Sequence, residues 1–225
     1  MSGYSNECRK INTYNELLGD VSRGRFPLGV LGVAAVHKAL LIHSLCEDRD
    51  SRAFVITQDD ASAGRLCSDL KALGTRAQVF PGRDLSFVSE QTYSKEYEHE
   101  RMGALSNWVS GETDVIVLPC TAAVMKTMSA KTLSERIITL KVGSEVQLDS
   151  LLRSLDAAGY KRADEVEGPG QYAVRGGIVD FFPPDRERPL RMELWGDEID
   201  TIAEFDILSQ RRTDTVDSIR ITPSC

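Results

Sequence analysis

Between residues 25 and 119, short apolar runs alternate with stretches of helical periodicity, and this alternation constrains the fold more than any other feature. Runs rich in Val, Ile and Phe without polar alternation are typical of parallel strands that are buried on both faces. The candidate strands are residues 25–33, 52–57, 76–80 and 114–119, and the candidate helices between them are 36–45, 61–73 and 93–109. Strands that alternate with helices in this way predict a parallel α/β domain.

The pattern changes after this region. Residues 146–158 have the spacing of one more amphipathic helix, and strand patterns follow at residues 160–167, 171–184, 189–206 and 216–221. Along residues 190–195, apolar residues alternate with Arg191, Glu193 and Trp195, which predicts an antiparallel sheet with one face on a core. We therefore predict two domains, an α/β domain over residues 1–130 and a smaller β-rich α+β domain over residues 131–225.

Composition excludes several classes of function. The 225-residue chain is 41% hydrophobic and 27% charged, and it carries a formal net charge of −7. Strong binding of nucleic acid is not expected, because such binding is driven largely by Lys and Arg that neutralise phosphates. No run approaches the roughly 18 apolar residues of a membrane span, and the N-terminus MSGYSNECRK is too polar for a signal peptide. The expected location is the cytoplasm, with no membrane contact.

The residues that most often bind metals are scattered. Neither the five cysteines nor the three histidines have the spacing of a zinc site or a disulfide framework. These residues are Cys8, Cys46, Cys67, Cys120, Cys225, His37, His43 and His99. We therefore expect no metal, no disulfide and no cofactor.

A damaged phosphate-binding loop precedes the first predicted helix. The sequence has Gly32, four residues, then His37, Lys38 and Ala39, whereas the signature is Gly, four residues, Gly-Lys, then Ser or Thr. The His37 side chain would intrude where backbone must approach phosphate, and Ala39 lacks the hydroxyl that binds Mg²⁺. The strand at residues 114–119 also ends without the Asp that would help to hold a metal. We therefore predict an inactive loop and no enzymatic activity.

Two interpretations of Lys38 remain open at this point. It is either a solvated helix residue or part of a weak residual nucleotide site made by N–H groups at a helix N-terminus. Asp59 or Asp60 has the position of an N-cap for the helix at residues 61–73.

The most distinctive segment is residues 165–212. Its glycines predict turns between successive strands, and the resulting sheet is expected to carry Arg175, Arg191 and Trp195 at an exposed edge. Exposed Arg and Trp together are typical of protein-binding hot spots. The residues alone leave a plainer alternative open, in which Arg191 pairs with Glu193 or Glu198 and Trp195 only covers a solvated surface.

Three motifs in this segment carry a resemblance to a known family. They are EGPGQYAVRGGIVDFFPP, PLRMELWGDEIDTI and FDILSQR. In order and spacing they resemble the UvrB-homology module at the N-terminus of bacterial transcription-repair coupling factors (Mfd). The similarity is strongest after residue 160. It extends over essentially the whole chain, because ERMGALSNWVSGETDVIVLPCTAAVMK is similar to part of the family's first domain.

The resemblance implies a function and a partner. The first domain would be a degenerate RecA-like P-loop domain, similar in fold to the ATPase domain of the excision-repair subunit UvrB but without its catalytic residues. The second would be a UvrB-type domain 2 that binds UvrA, and the family's contact residues fall on Arg175, Arg191 and Trp195. The chain would then be a non-catalytic module that recruits UvrA to stalled transcription complexes.

The resemblance also suggests what lies outside the chain and which alternatives remain. RNA polymerase and DNA would be bound by other domains of a longer protein, and a later segment would complete the first domain. One alternative is a UvrB-type ATP-dependent DNA repair helicase domain. Another is an autoinhibitory domain that masks the same surface.

Overall fold

The computed structural model of the chain describes residues 3–82 and 95–224, which form two compact units. The first unit comprises the described parts of Met1–Leu85 and Ser110–Lys126, and the second those of Ser86–Val109 and Thr127–Cys225. Residues 95–109 therefore belong with the second unit although they precede the last strand of the first. The division into independently folding domains at residue 130 stays a prediction.

The described residues form the following helices and strands. In chain order they are α1 (Gly3–Cys8), α2 (Asn12–Ser22), α3 (Ala35–Arg49), β1 (Ala53–Thr57), α4 (Asp60–Ala72), β2 (Ala77–Val79), α5 (Lys95–Val109), β3 (Val115–Pro119), α6 (Cys120–Ala123), α7 (Ala130–Arg136), β4 (Ile138–Lys141), α8 (Leu148–Ala157), β5 (Lys161–Arg162), β6 (Gln171–Arg175), β7 (Ile178–Phe181), β8 (Leu190–Trp195), β9 (Glu198–Phe205), β10 (Arg212–Thr215) and β11 (Ser218–Ile221).

The first unit is built on a parallel sheet with the strand order β1-β3-β2. All five residues of β3 are buried, as predicted for a strand covered on both faces. The prediction is wrong for β1, because its Phe54 and Ile56 side chains are 56% and 63% exposed. Helices α3 and α4 supply Ala39 and Leu70 to the core on the other face of the sheet.

Helix α4 begins as its sequence predicts. The Asp59 carboxylate accepts a hydrogen bond from the backbone N–H of Ser62 at 2.7 Å, which satisfies one of the free N–H groups of the first turn. Hydrogen bonding to Ser62, first through its side chain and then through its backbone N–H, lowers the pKa of Asp59. Asp60 lies inside the helix, where Oδ1 accepts from the backbone N–H of Gly82 at 3.3 Å.

The predicted strand at residues 25–33 is wrong, because this segment forms no strand in the part of the chain that the structure describes. Pro27 has no backbone N–H to donate to a ladder, and Gly29 and Gly32 weaken any strand that contains them. The helix after it is confirmed and is longer than predicted, since α3 runs from Ala35 to Arg49.

The second unit is built on a six-stranded sheet with the order β10-β9-β8-β7-β6-β5. All neighbours are antiparallel except β5 and β6, and β4 forms a separate antiparallel ladder with β11. Helix α8 covers one face of the sheet with Leu151 and Leu155. The helix predicted at residues 146–158 is thereby confirmed, together with the strands predicted in 160–167, 171–184, 189–206 and 216–221. Strands β4 and β10 were not predicted.

Two close contacts hold the last described residues against this unit. The buried Tyr160 hydroxyl donates a hydrogen bond to the backbone carbonyl of Thr222 at 2.6 Å. Gly170 has a φ of +76°, and a Cβ at this position would lie 2.2 Å from Ser224 Oγ and 3.3 Å from His99 Nε2. Only glycine fits this position without a shift of the Ser224 and His99 side chains.

One unit thus contains a parallel sheet and the other a mainly antiparallel sheet, each with helices, which confirms the mixed α/β fold class. The RecA-like character of the first unit stays a prediction. Among the helices that the structure describes, none combines the length and the apolar composition that crossing a membrane requires.

Candidate functional site

The predicted binding residues lie on one face of the six-stranded sheet. Side chains alternate along β8, so that Leu190, Met192 and Leu194 point to the core while the residues between them point the other way. We call this second side the outer face and define it by Arg175, Asp180, Arg191, Glu193 and Trp195. The sequence predicts these arginines and the tryptophan at an exposed edge. The edge strands are instead β5 and β10.

Arg191 lies at the centre of the outer face and has partners within the protein. Its Nε and Nη2 donate hydrogen bonds to the two carboxylate oxygens of Asp180, at 2.7 and 2.8 Å. Nη2 also donates to Gln210 Oε1 at 2.8 Å, and Nη1 donates to the Gln210 carbonyl at 3.4 Å. Four of the five guanidinium N–H groups therefore have acceptors. The hydrogen bond to Asp180 raises the pKa of Arg191.

This ion pair is largely buried. The side chains of Asp180 and Arg191 are 5% and 15% exposed, and the guanidinium carbon lies 4.5 Å from the centre of the Phe205 ring. The stacking on an aromatic ring and the two-pronged carboxylate contact hold the arginine in one orientation. Arg191 is therefore part of the framework of the outer face.

The sequence predicted neither partner of Arg191. It left open a pair with Glu193 or Glu198, but Glu193 forms its ion pair with Arg212. A signal for Asp180 was available, because a single carboxylate inside the apolar run IVDFF must find a cation or hydrogen bonds once that run is buried. Asp180 and Arg191 are direct neighbours across β7 and β8.

Arg175 and Trp195 are the accessible residues among those predicted to bind a partner. Arg175 donates a hydrogen bond to Glu165 at 2.8 Å, and their side chains are 50% and 62% exposed. Trp195 is 84% exposed and precedes the turn at Gly196, whose φ is +64°. The structure thus places the three predicted residues on the same face, with Arg191 enclosed and the other two open to solvent.

A turn at residues 206–211 folds over part of the outer face, and we call it the covering turn. Asp206 Oδ1 accepts from the backbone N–H and the hydroxyl of Ser209, at 2.8 and 2.7 Å. These two hydrogen bonds are the main cause of a lowered pKa of Asp206, to which the charge of Arg188 also contributes. Gln210 adopts a φ of +57° and donates from Nε2 to the Ile207 carbonyl at 2.8 Å.

Side chains of the covering turn point in opposite directions. Ile207 packs against Val166, Ala173 and Phe182, while Leu208 is 95% exposed. The same short hydrogen-bonded turn therefore buries the Ile207 side chain and exposes that of Leu208. The sequence does not single out Leu208, because one apolar residue in a turn has no periodicity.

The degenerate nucleotide loop lies in the first unit. Gly32 has a φ of +76°, and His37 and Lys38 are exposed in the first turn of α3, which has no side-chain cap. Ala39 is fully buried in the core, so the position where the signature places a hydroxyl faces other side chains. The exposure of Lys38 fits a solvated helix residue, and residual nucleotide binding stays untested. In residues 3–82 and 95–224, no three His, Cys, Asp or Glu side chains form a group that could hold a metal.

Comparison with known proteins gives two results. Residues 138–225 match the family of the UvrB interaction domain. The chain is also similar to proteins named transcription-repair-coupling factor. It is 31% identical to that of Haemophilus influenzae over 189 residues, which are 83% of the chain, and 25% identical to that of Bacillus subtilis over 218 residues, which are 96% of it. The identity to that of Staphylococcus aureus is 29% over 195 residues, or 86% of the chain.

The matched regions are small parts of these relatives. They span 16%, 18% and 17% of the Haemophilus, Bacillus and Staphylococcus proteins. The family match covers the six-stranded sheet, the covering turn and the β4–β11 ladder. Residues 138–225 therefore belong to the UvrB interaction domain family, and most of the chain is similar to one part of the transcription-repair-coupling factors.

Proposed function

We propose that this chain is a non-catalytic protein-binding module, and that the outer face of its second unit binds UvrA. In a longer coupling factor this binding would recruit UvrA to stalled transcription complexes. The observation that carries the proposal is Trp195, which is 84% exposed on a face whose centre is fixed by a buried ion pair. A large aromatic side chain on a rigid surface is the usual anchor of a protein interface.

The predicted contact residues have different roles in this proposal. Trp195 supplies apolar area to the partner, and Arg175 exchanges its exposed pair with Glu165 for a carboxylate of the partner. Arg191 has four N–H groups in use within the protein, so it contributes mainly by holding the outer face in shape. Loss of Trp195 would then weaken binding directly, whereas loss of Arg191 would act through the structure.

The test is a calorimetric titration of the chain with purified UvrA at two salt concentrations. Trp195→Ala is expected to weaken binding by at least about tenfold, since loss of an aromatic anchor typically costs ~2 kcal/mol. A matched control is Val124→Ala, because Val124 is 82% exposed but lies in the first unit. Wild-type binding that is unaffected by Trp195→Ala would refute the assignment of this surface.

The absence of catalysis is a separate proposal and rests on the damaged loop. His37 takes the place of a glycine, and Ala39 replaces the hydroxyl and is buried. A ligand at 100 times its Kd stabilises a protein by about 2.7 kcal/mol. We therefore expect no shift of the thermal unfolding midpoint on adding MgATP, and a shift of several degrees would favour the ATP-dependent alternative.

A further inference from the structure

Leu208 is the second large apolar side chain that the second unit exposes within its described residues. Only Trp195 and Leu208 among them are both large, apolar and mostly accessible, at 84% and 95%. Trp195 already has a part in the proposed interface. Leu208 has none, and its exposure carries a hydration cost that packing against a partner would relieve.

The covering turn holds Leu208 in place. Its ends are closed by backbone hydrogen bonds from Asp206 N to the Arg211 carbonyl at 3.0 Å and from Gln210 N to the Asp206 carbonyl at 2.8 Å. The Asp206 carboxylate accepts two further hydrogen bonds, from the backbone N–H and the hydroxyl of Ser209. A side chain at the crest of so constrained a turn loses little backbone entropy when it binds, which favours tight association.

The buried ion pair fixes this turn to the sheet. Arg191 donates hydrogen bonds both to the side chain and to the carbonyl of Gln210, while it is held by Asp180 on the neighbouring strand. Ile207 anchors the other side of the turn against Ala173 and Phe182. Leu208 therefore belongs to a turn that is attached to the same face of the sheet as Trp195, and its side chain is exposed there.

Two cations are associated with the covering turn that carries Leu208: Arg211 is its last residue, and the charge of Arg188 acts on its first residue, Asp206. Arg188 and Arg211 are exposed, and neither has an ion-pair partner among residues 3–82 and 95–224. A partner surface that complements this arrangement has an apolar pocket bordered by carboxylates.

We propose that the covering turn is a second binding element for the partner of the proposed function, with Leu208 inserted into an apolar pocket that has an acidic rim. This proposal rests on the proposed function and adds a contact to it. In the bound state, Trp195 and Leu208 are separate apolar anchors on one rigid face.

The experiment is a calorimetric titration of UvrA with Leu208→Ser, Leu208→Met and Trp195→Ala, beside Val124→Ser as the control for an exposed aliphatic side chain outside the face. Leu208→Ser is expected to weaken binding by at least about tenfold, and Leu208→Met to bind within about threefold of the wild type, because it keeps most of the apolar volume. The ratio of wild-type to Leu208→Ser affinity is expected to be the same at both salt concentrations, since the lost contact is apolar.

The outcomes separate the two proposals. If Trp195→Ala weakens binding and Leu208→Ser binds like Val124→Ser, the covering turn is not a binding element and the proposed function stands. If the wild type binds and neither variant weakens it, the partner uses another surface and both proposals fail. If the wild type does not bind UvrA, the proposed function fails and this inference fails with it. Thermal unfolding of Leu208→Ser is expected to match the wild type, which excludes misfolding.

Discussion

Removing Arg191 should destabilise the second unit by several kcal/mol. In Arg191→Met the Asp180 carboxylate, whose side chain is 5% exposed, loses its only guanidinium partner in the described structure. Breaking one half of a buried ion pair costs about 3–5 kcal/mol, because an uncompensated charge is left in the interior. The Arg191 side chain is 15% exposed, so solvent screening reduces this estimate little. The expected loss is a large part of the 5–15 kcal/mol that typically stabilises a domain.

The assay is urea unfolding followed by tryptophan fluorescence. Both tryptophans of the chain, Trp108 and Trp195, are in the second unit, so the signal reports on that unit. The double variant Asp180→Leu, Arg191→Met is expected to recover to within about 2 kcal/mol of the wild type, because an apolar pair leaves no unpaired charge. Arg175→Met is the matched control. Its ion pair is half exposed, and exposed pairs contribute about 0–1 kcal/mol.

Two results would refute this reasoning. One is a loss of less than about 1 kcal/mol in Arg191→Met, which is the range of a surface ion pair. The other is a double variant no more stable than the single one, since the cost would then not arise from the isolated charge of Asp180. The prediction also affects binding studies, because a weaker interaction of Arg191→Met with a partner has to be measured on protein that is shown to be folded.

Three further predictions concern stability. Gly170→Ala should lower the thermal midpoint more than Gly176→Ala, because both positions have positive φ but only the first is crowded by neighbouring side chains; equal losses would contradict the steric argument. Tyr160→Phe should cost about 1–2 kcal/mol in urea unfolding, since it leaves a buried carbonyl without its donor, and an unchanged midpoint would contradict it. The lowered pKa of Asp206 stabilises the fold above the unfolded pKa of about 4, and this contribution is lost as pH falls through the folded pKa. The stability difference between the wild type and Asp206→Ala should therefore be larger at pH 7 than at acidic pH, as measured by urea unfolding; a difference that does not change with pH would point to another cause.

The sequence predicted the elements whose pattern is local and apolar. Strand β3 and helix α4 were identified because a continuous apolar run and an N-cap are visible in the sequence itself. Strand β10 was missed because all four of its residues are exposed and polar at a sheet edge, so it has no hydrophobic alternation. The segment at residues 25–33 was misassigned for the opposite reason, since it is apolar but has no neighbour to pair with in the described structure.

The candidate site was predicted only in part. Arg175, Arg191 and Trp195 were identified from motifs, but the enclosure of Arg191 depends on its register opposite Asp180 and on a turn that returns over the sheet. Neither follows from residue spacing. Leu208 was missed for the same reason, because its role depends on the direction in which the covering turn holds it.

The ladder between β4 and β11 sets the order in which the second unit becomes native. These strands are the first and last of the unit, and Leu140 and Ile219 are direct, buried neighbours across them. A nascent chain that has left the ribosome only as far as β10 holds β4 without its partner and leaves one side of the core uncovered. The unit is therefore expected to fold late in its own synthesis, when Ile221 has emerged and pairs with Ile138 at the far end of a long loop.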